Sequence, residues 1–208
     1  MVNTVRLRCM LGWLGILLPW IVVLILLEFP TSISSTYYGE KGNYDIFSNA
    51  TITPFMIILG ASSILLISYK GYDLQDDIVN TMAGIAGICI CLFPCSLDSI
   101  DKSIAVGTLQ VPMWVSGIIH NASAIVFFSL LSYNSLFLFT KHGDSVTPNK
   151  KKRNVVYRIC GIGMLTSFIL LLLPNFSIKI WVVEAISLFF FGVSFLTKAD
   201  YYKWLFCD

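Results

Sequence analysis

The chain has 208 residues, 56% of them hydrophobic and only 12% charged, with a formal net charge of +2. Soluble domains carry about 25% charged residues, so a soluble enzyme is excluded as the body of the protein. A spanning helix needs roughly 20 mostly apolar residues, and six stretches approach that length, joined by connections too short for a further domain. The expected fold class is an all-α polytopic transmembrane bundle of six spans, one membrane domain over 1–208.

The chain begins with a short basic leader carrying Arg6 and Arg8. The first expected span covers about 9–27, with Pro19 inside it as a bend and Glu28 ending it at the interface. Its apolar run is longer than a signal-peptide core and no small-residue cleavage pattern follows, so it reads as a retained anchor. The polar connection 29–50 is rich in Ser, Thr and Tyr. Long connections of this kind are often functional, although Tyr37 and Tyr38 also suit headgroup depth.

The second span is expected at about 51–69 and the third at about 78–93, separated by a charged turn with Lys70, Tyr72, Asp73, Asp76 and Asp77. Ala83, Gly87 and Cys91 recur every fourth residue, a spacing that lets helix backbones approach closely in lipid. Pro94 closes this span. The connection 95–112 holds Asp98 and Asp101, with room for a short interfacial helix. The fourth span, about 114–140, exceeds the length needed and is expected to tilt or emerge. A basic connection with Lys150, Lys151, Lys152 and Arg153 precedes a fifth span at about 159–173, and the sixth covers about 180–197. That basic block beside a helix start reads as a topology determinant that attracts anionic lipid, rather than as a nucleic-acid site.

With the N-terminus inside, every lysine and arginine except Lys41, Lys102 and Lys179 falls on the cytoplasmic side. The positive-inside rule therefore gives N-in and C-in. The six cysteines form no paired C-x-x-C motifs, which argues against a zinc ribbon or a thioredoxin-like site. Cys91 and Cys95, four apart around Pro94, are expected mainly as buried small residues, with a redox pair as the other reading.

Topology places the candidate polar residues at one depth. His120 lies about two turns in from the outer end of the fourth span, and Glu184 about one turn in on the sixth. Glu28, Ser34, Ser35, Tyr37, Tyr38, Asp98 and Asp101 gather nearby, whereas the inner halves of the spans look almost free of ionisable groups. Intramembrane polar residues are functional candidates by default. Ser116, His120 and Ser123 share a helix face at spacings of four and three, as do Glu184 and Ser187. If the two faces meet, Glu184 would orient one ring nitrogen of His120 and leave the other for a ligand, proton or metal. The alternative is a hydrogen-bonded pair that only fixes packing.

Several blocks resemble one family. SISSTYY at Ser32 to Tyr38, YKGYD at Tyr69 to Asp73, AGIAGICICLFP at Ala83 to Pro94, the His120 region, KRNVVYRICG at Lys152 to Gly161 and WVVEAISLFFFGVSFLTKAD at Trp181 to Asp200 resemble, in order, an uncharacterised family of small bacterial six-helix membrane proteins. That resemblance implies the topology and marks Ser34, Tyr38, Asp73, His120 and Glu184 as motif members, with Lys70, Tyr72 and Asp73 as a cytoplasmic motif. It implies no activity. The arrangement is more loosely similar to Frag1/DRAM/Sfk1-type proteins and to the alkaline ceramidase and adiponectin receptor superfamily. The latter resemblance implies three histidines at a metal site. Here His142 falls in a cytoplasmic connection, so His120 stands alone at membrane depth and a zinc hydrolase of that kind is doubtful.

The leading expectation is a multi-pass protein of a bacterial cytoplasmic membrane with an outward-facing polar pocket that binds or senses a lipid or small amphiphile. Candidate ligand-binding residues are His120, Glu184, Ser34, Tyr38, Glu28, Ser116 and Ser123. An intramembrane hydrolase using His120 with acidic partners is the alternative, and a small channel or transporter the third reading. No cofactor and no metal are expected. Membrane lipids are the expected partners, self-association is left open, and nucleic acid is not expected.

Overall fold

The computed structural model describes residues 4–38, 53–97, 101–141, 147–170 and 180–201. The structure is mostly helical, with six α-helices among the described residues. These are α1 (Thr4–Leu26), α2 (Pro54–Ile67), α3 (Leu74–Leu92), α4 (Met113–Tyr133), α5 (Pro148–Leu170) and α6 (Ile180–Lys198). Three stretches, Thr4–Leu26, Met113–Leu138 and Ile180–Lys198, are long and apolar enough to cross a membrane, and Pro54–Ile67 is a shorter apolar helix. Positions 51, 52 and 171–173 of the expected spans, together with Asp98 and His142, lie outside the described residues.

Each helix packs on its neighbours in sequence, and α6 returns to α1, so the six close into a ring. Across the ring, α4 and α6 barely touch. The contact between α2 and α3 rests on the small-residue face read from the sequence. Ala83, Gly87 and Cys91 are buried, and the Cys91 thiol reaches the Met56 carbonyl of α2 at 3.8 Å. A side chain at Gly87 would strike Ser63 of α2, so the close approach depends on that glycine. The described cysteines are all free.

Four expectations about the helices and their connections are corrected. α3 starts at Leu74 rather than near residue 78, because the Asp73 side chain caps it by accepting from the Asp76 amide at 3.0 Å. α5 starts at Pro148, well before residue 159. Thr147 caps its first turn through the Lys150 and Lys151 amides, and Pro148 suits the first helical position. The basic block is therefore helical, which fits the good helix propensity of Lys and Arg. The fourth span is not one regular helix: after Tyr133 it continues as a π-helical turn over Asn134–Leu138. Between α3 and α4 there is no interfacial helix among the described residues. A two-stranded antiparallel hairpin stands there, β1 (Ala105–Val106) with β2 (Val111–Pro112), turned through Gly107 and Gln110 at positive φ.

The inner halves of the spans, expected to be almost free of ionisable groups, hold several at their ends. The early starts of α1 and α3 draw Arg8 and Asp76 into helices, and Lys198 closes α6. Asp76 is 4% exposed and Lys198 7% exposed. Deeper in the bundle, the Asn134 amide donates to Asn80 Oδ1 at 2.6 Å, with both side chains buried.

Candidate ligand cavity

Where α3 ends, the chain must satisfy carbonyls that no further helical turn can serve, and Pro94 prevents the helix from continuing. Three successive carbonyls past α3 each receive a side-chain donor. His120 Nδ1 meets the Phe93 carbonyl at 2.8 Å, the Ser116 hydroxyl donates to the Pro94 carbonyl at 2.7 Å, and the Tyr38 hydroxyl donates to the Cys95 carbonyl at 2.7 Å. A carbonyl only accepts, so Nδ1 carries the proton. In the neutral imidazole the lone pair is then on Nε2. Gly117, between Ser116 and His120, lets this segment lie on α4, since a side chain there would run into Ser96. Burial first, with Cys95 and Tyr37 adding, pushes the Tyr38 hydroxyl above its ordinary range. Burial first and Glu184 second push the Cys95 thiol up to about 12, so it stays a thiol.

On the facing wall, Glu184 of α6 holds the segment that follows α1. The Ile33 amide donates to Glu184 Oε2 at 2.5 Å and the Ser34 hydroxyl to Oε1 at 3.0 Å. These groups open a 3-10 helical turn over Ser34–Tyr38. Glu184 thus accepts at a helical N-terminus, where a carboxylate is favoured. Ser32 and Ser35 close the same turn, the Ser35 amide donating to Ser32 Oγ at 2.9 Å and the Ser35 hydroxyl to the Ser32 carbonyl at 2.8 Å.

Between these walls lies a cavity of about 780 Å³. His120, Asn121, Glu184, Ser34 and Ser35 give it one polar end, and Phe55, Leu59, Ile90, Phe127, Phe128 and Leu188 give it apolar walls. Ile125 of α4 and Ile180 of α6 also line it and are each 50% exposed. The cavity therefore reaches the surface beside these two residues, where its rim is apolar.

The structure brings His120, Glu184 and Ser34 to one cavity and sets Ser116 and Tyr38 behind its wall. Two expectations are corrected. Glu184 does not orient His120: α6 packs on α1 and α5 while α4 packs on α3 and α5, so each side chain takes a backbone partner on its own side. Glu28 and Ser123 do not line the cavity. Glu28 is exposed beyond α1, just after Leu27 at positive φ, and Ser123 is half-buried. Ser187, expected beside Glu184, is fully buried with its hydroxyl unpaired among the described residues. Asp101 sits in the exposed hairpin connection, where the Ser103 amide holds its carboxyl below the usual range.

The Lys70, Tyr72 and Asp73 group lies at the opposite end and splits. Lys70 is exposed. Asp73 binds Lys141 Nζ at 2.8 Å, and Lys141 also reaches Asp76 at 3.0 Å. The Tyr72 amide donates to Asp76 Oδ2 at 2.8 Å. Reading the sequence missed the caps at Phe93, Pro94 and Cys95, because carbonyls leave no mark in a sequence. It also missed Asn80 and Asn134, although amides inside apolar runs were a visible signal.

Among the described residues, no three His, Cys, Asp or Glu side chains gather as a metal site. No protein-family model, curated protein or solved structure matches this chain.

Proposed function

We propose that the chain crosses a cell membrane six times with both termini in the cytoplasm, and that the cavity holds a lipid-like amphiphile near the outer surface. The observation that carries this reading is the lining of the cavity: His120, Glu184 and Ser34 as polar groups, apolar walls, and the half-exposed apolar residues Ile125 and Ile180 at its rim. Its volume of about 780 Å³ falls in the range of about 300–1,000 Å³ that small-molecule sites occupy.

The packing of each helix on its neighbours in sequence supports six alternating spans. The basic residues then collect at the end holding Asp73 and Lys198, and the cavity lies at the other. A mouth rimmed by Ile125 and Ile180 faces acyl chains, so a tail enters from the side. The headgroup meets acceptors. His120 Nε2 offers a lone pair, and the Glu184 carboxylate has lone pairs beyond those used by Ile33 and Ser34. A head that donates hydrogen bonds, such as a hydroxyl or an ammonium, fits this set best.

The test is thermal unfolding of delipidated protein titrated with single-chain amphiphiles of different heads. A ligand at 100 times its Kd stabilises by about 2.7 kcal/mol, a shift easily read. Wild type is expected to gain stability saturably with hydroxyl- or ammonium-headed chains. Ala124→Trp, which fills the cavity, is expected to gain none. An equal gain in both proteins would end the proposal.

A further inference from the structure

At the end opposite the cavity, cations outnumber their partners. Arg153 pairs with Asp200, and Lys141 with Asp73 and Asp76. Arg8, Lys150 and Lys198 make no ion pair with a described carboxylate. Lys198 is the extreme case, because it is buried and its ammonium makes no hydrogen bond to a described residue. It rests instead between two rings, 4.6 Å from the Tyr72 centroid and 5.0 Å from the Phe139 centroid. Cation–π contacts offset part of the cost of taking an ammonium out of water, but a buried charge is normally paired.

The other two cations converge on the same spot. Arg8 Nη1 donates to the Lys198 carbonyl at 3.3 Å and Nε to the Tyr69 hydroxyl at 3.1 Å, which leaves Nη2 uncommitted. Lys150 Nζ donates to the Phe139 carbonyl at 2.8 Å and lies 5.5 Å from the Tyr157 ring centre, with further N–H groups free. Arg8, Lys150 and Arg153 all act electrostatically on Lys198, and so does Asp76. Asp76 is already engaged by Lys141 and the Tyr72 amide. Burial first, then Arg153, pushes the Lys150 ammonium below its ordinary range, against the pull of Asp200. The group is bordered by exposed Tyr72 and half-buried Lys150, so a ligand can reach it from the surface.

We propose that Arg8, Lys150 and Lys198 form a binding site for a phosphate-bearing anion at this end of the bundle. A phosphate offers several acceptor oxygens to one guanidinium and two ammonium groups at once. The chemistry is shared by an anionic phospholipid head and by soluble phosphate. The inference is independent of the outer cavity and takes from that reading only the placement of this end at the cytoplasmic surface, where anionic heads are abundant.

The test uses the full chain in nanodiscs. Thermal stability is read in pure phosphatidylcholine, in phosphatidylcholine with phosphatidylglycerol, and in pure phosphatidylcholine with inorganic phosphate at fixed ionic strength. A rise with phosphatidylglycerol alone assigns the site to a lipid head, and a rise with inorganic phosphate assigns it to a soluble anion. In native mass spectrometry, Lys198→Met and Lys150→Gln are each expected to weaken retention of the active probe about tenfold, the scale of one lost charged hydrogen bond. Lys152→Gln, on the exposed part of α5, is expected to keep it. If neither probe acts on wild type, or if Lys152→Gln loses as much as Lys198→Met, the proposal is overturned. If Lys198→Met does not fold, Lys150→Gln decides alone. Ala124→Trp leaves this site intact, so failure here and failure of the cavity reading are separable.

Discussion

The two ends of the bundle handle buried polarity in opposite ways. At the His120 end, side chains satisfy backbone: His120, Ser116 and Tyr38 serve three carbonyls past α3, and Glu184 serves the Ile33 amide. These polar groups find partners within the protein, and a cavity of about 780 Å³ lies beside them. At the Lys198 end, Arg8, Lys150 and Lys198 gather against rings and carbonyls, and none of the three has a carboxylate among the described residues. The first end has space and matched groups, so its ligand is recognised by shape with a few acceptors. The second has unmatched charge, so its ligand is recognised by charge.

The contrast is most easily broken by removing one partner at the first end. Glu184→Leu would leave the buried Ile33 amide and the Ser34 hydroxyl without an acceptor, and is expected to cost about 3 kcal/mol, the penalty for stranding groups bound to a charged partner. His120→Leu strands one carbonyl and should cost less, about 1–2 kcal/mol. Unfolding in detergent measures both. An equal cost for the two would mean that Glu184 does not act as the cap of the 3-10 turn.

At the second end the sign reverses. Lys198→Met replaces a buried unpaired cation by an apolar side chain of similar length. In zwitterionic lipid this is expected to raise stability by about 1 kcal/mol, since burying a charge costs more than its partial compensation returns. A loss of stability there would show that the ammonium is already satisfied.

The smallest effect belongs to Asp73. The Lys141 hydrogen bond first, and the Asp76 amide second, hold its carboxyl below the ordinary range. A lowered folded value means that its contribution is present above the ordinary carboxylate value of about 4 and is lost as pH falls through the folded value. Asp73→Asn should therefore flatten the acid limb of a stability–pH profile and leave the neutral region little changed. An unchanged acid limb would remove Asp73 from the account.

The helical class and the six helices were legible because hydrophobic length is a strong signal in membrane sequences. Helix starts were harder. Lys150 to Arg153 look like a connection in the sequence because a charge run interrupts the apolar pattern, whereas Thr147 and Pro148 carry the true start. His120, Glu184 and Ser34 were legible as a group because all are polar residues at one depth. Whether the His120 and Glu184 faces meet is not legible, because helix order around the ring is not written in the periodicity. Lys198 was read only as a marker of sidedness, since nothing in a sequence distinguishes a snorkelling lysine from one held between two rings.

The most direct measurement of the central claim is native mass spectrometry of gently purified wild type beside Ala124→Trp. Wild type is expected to carry a bound amphiphile that survives release from the micelle, and Ala124→Trp to fly without it. Wild type that flies bare, or a variant carrying the same adduct in the same amount, would contradict the assignment of the cavity as a ligand site.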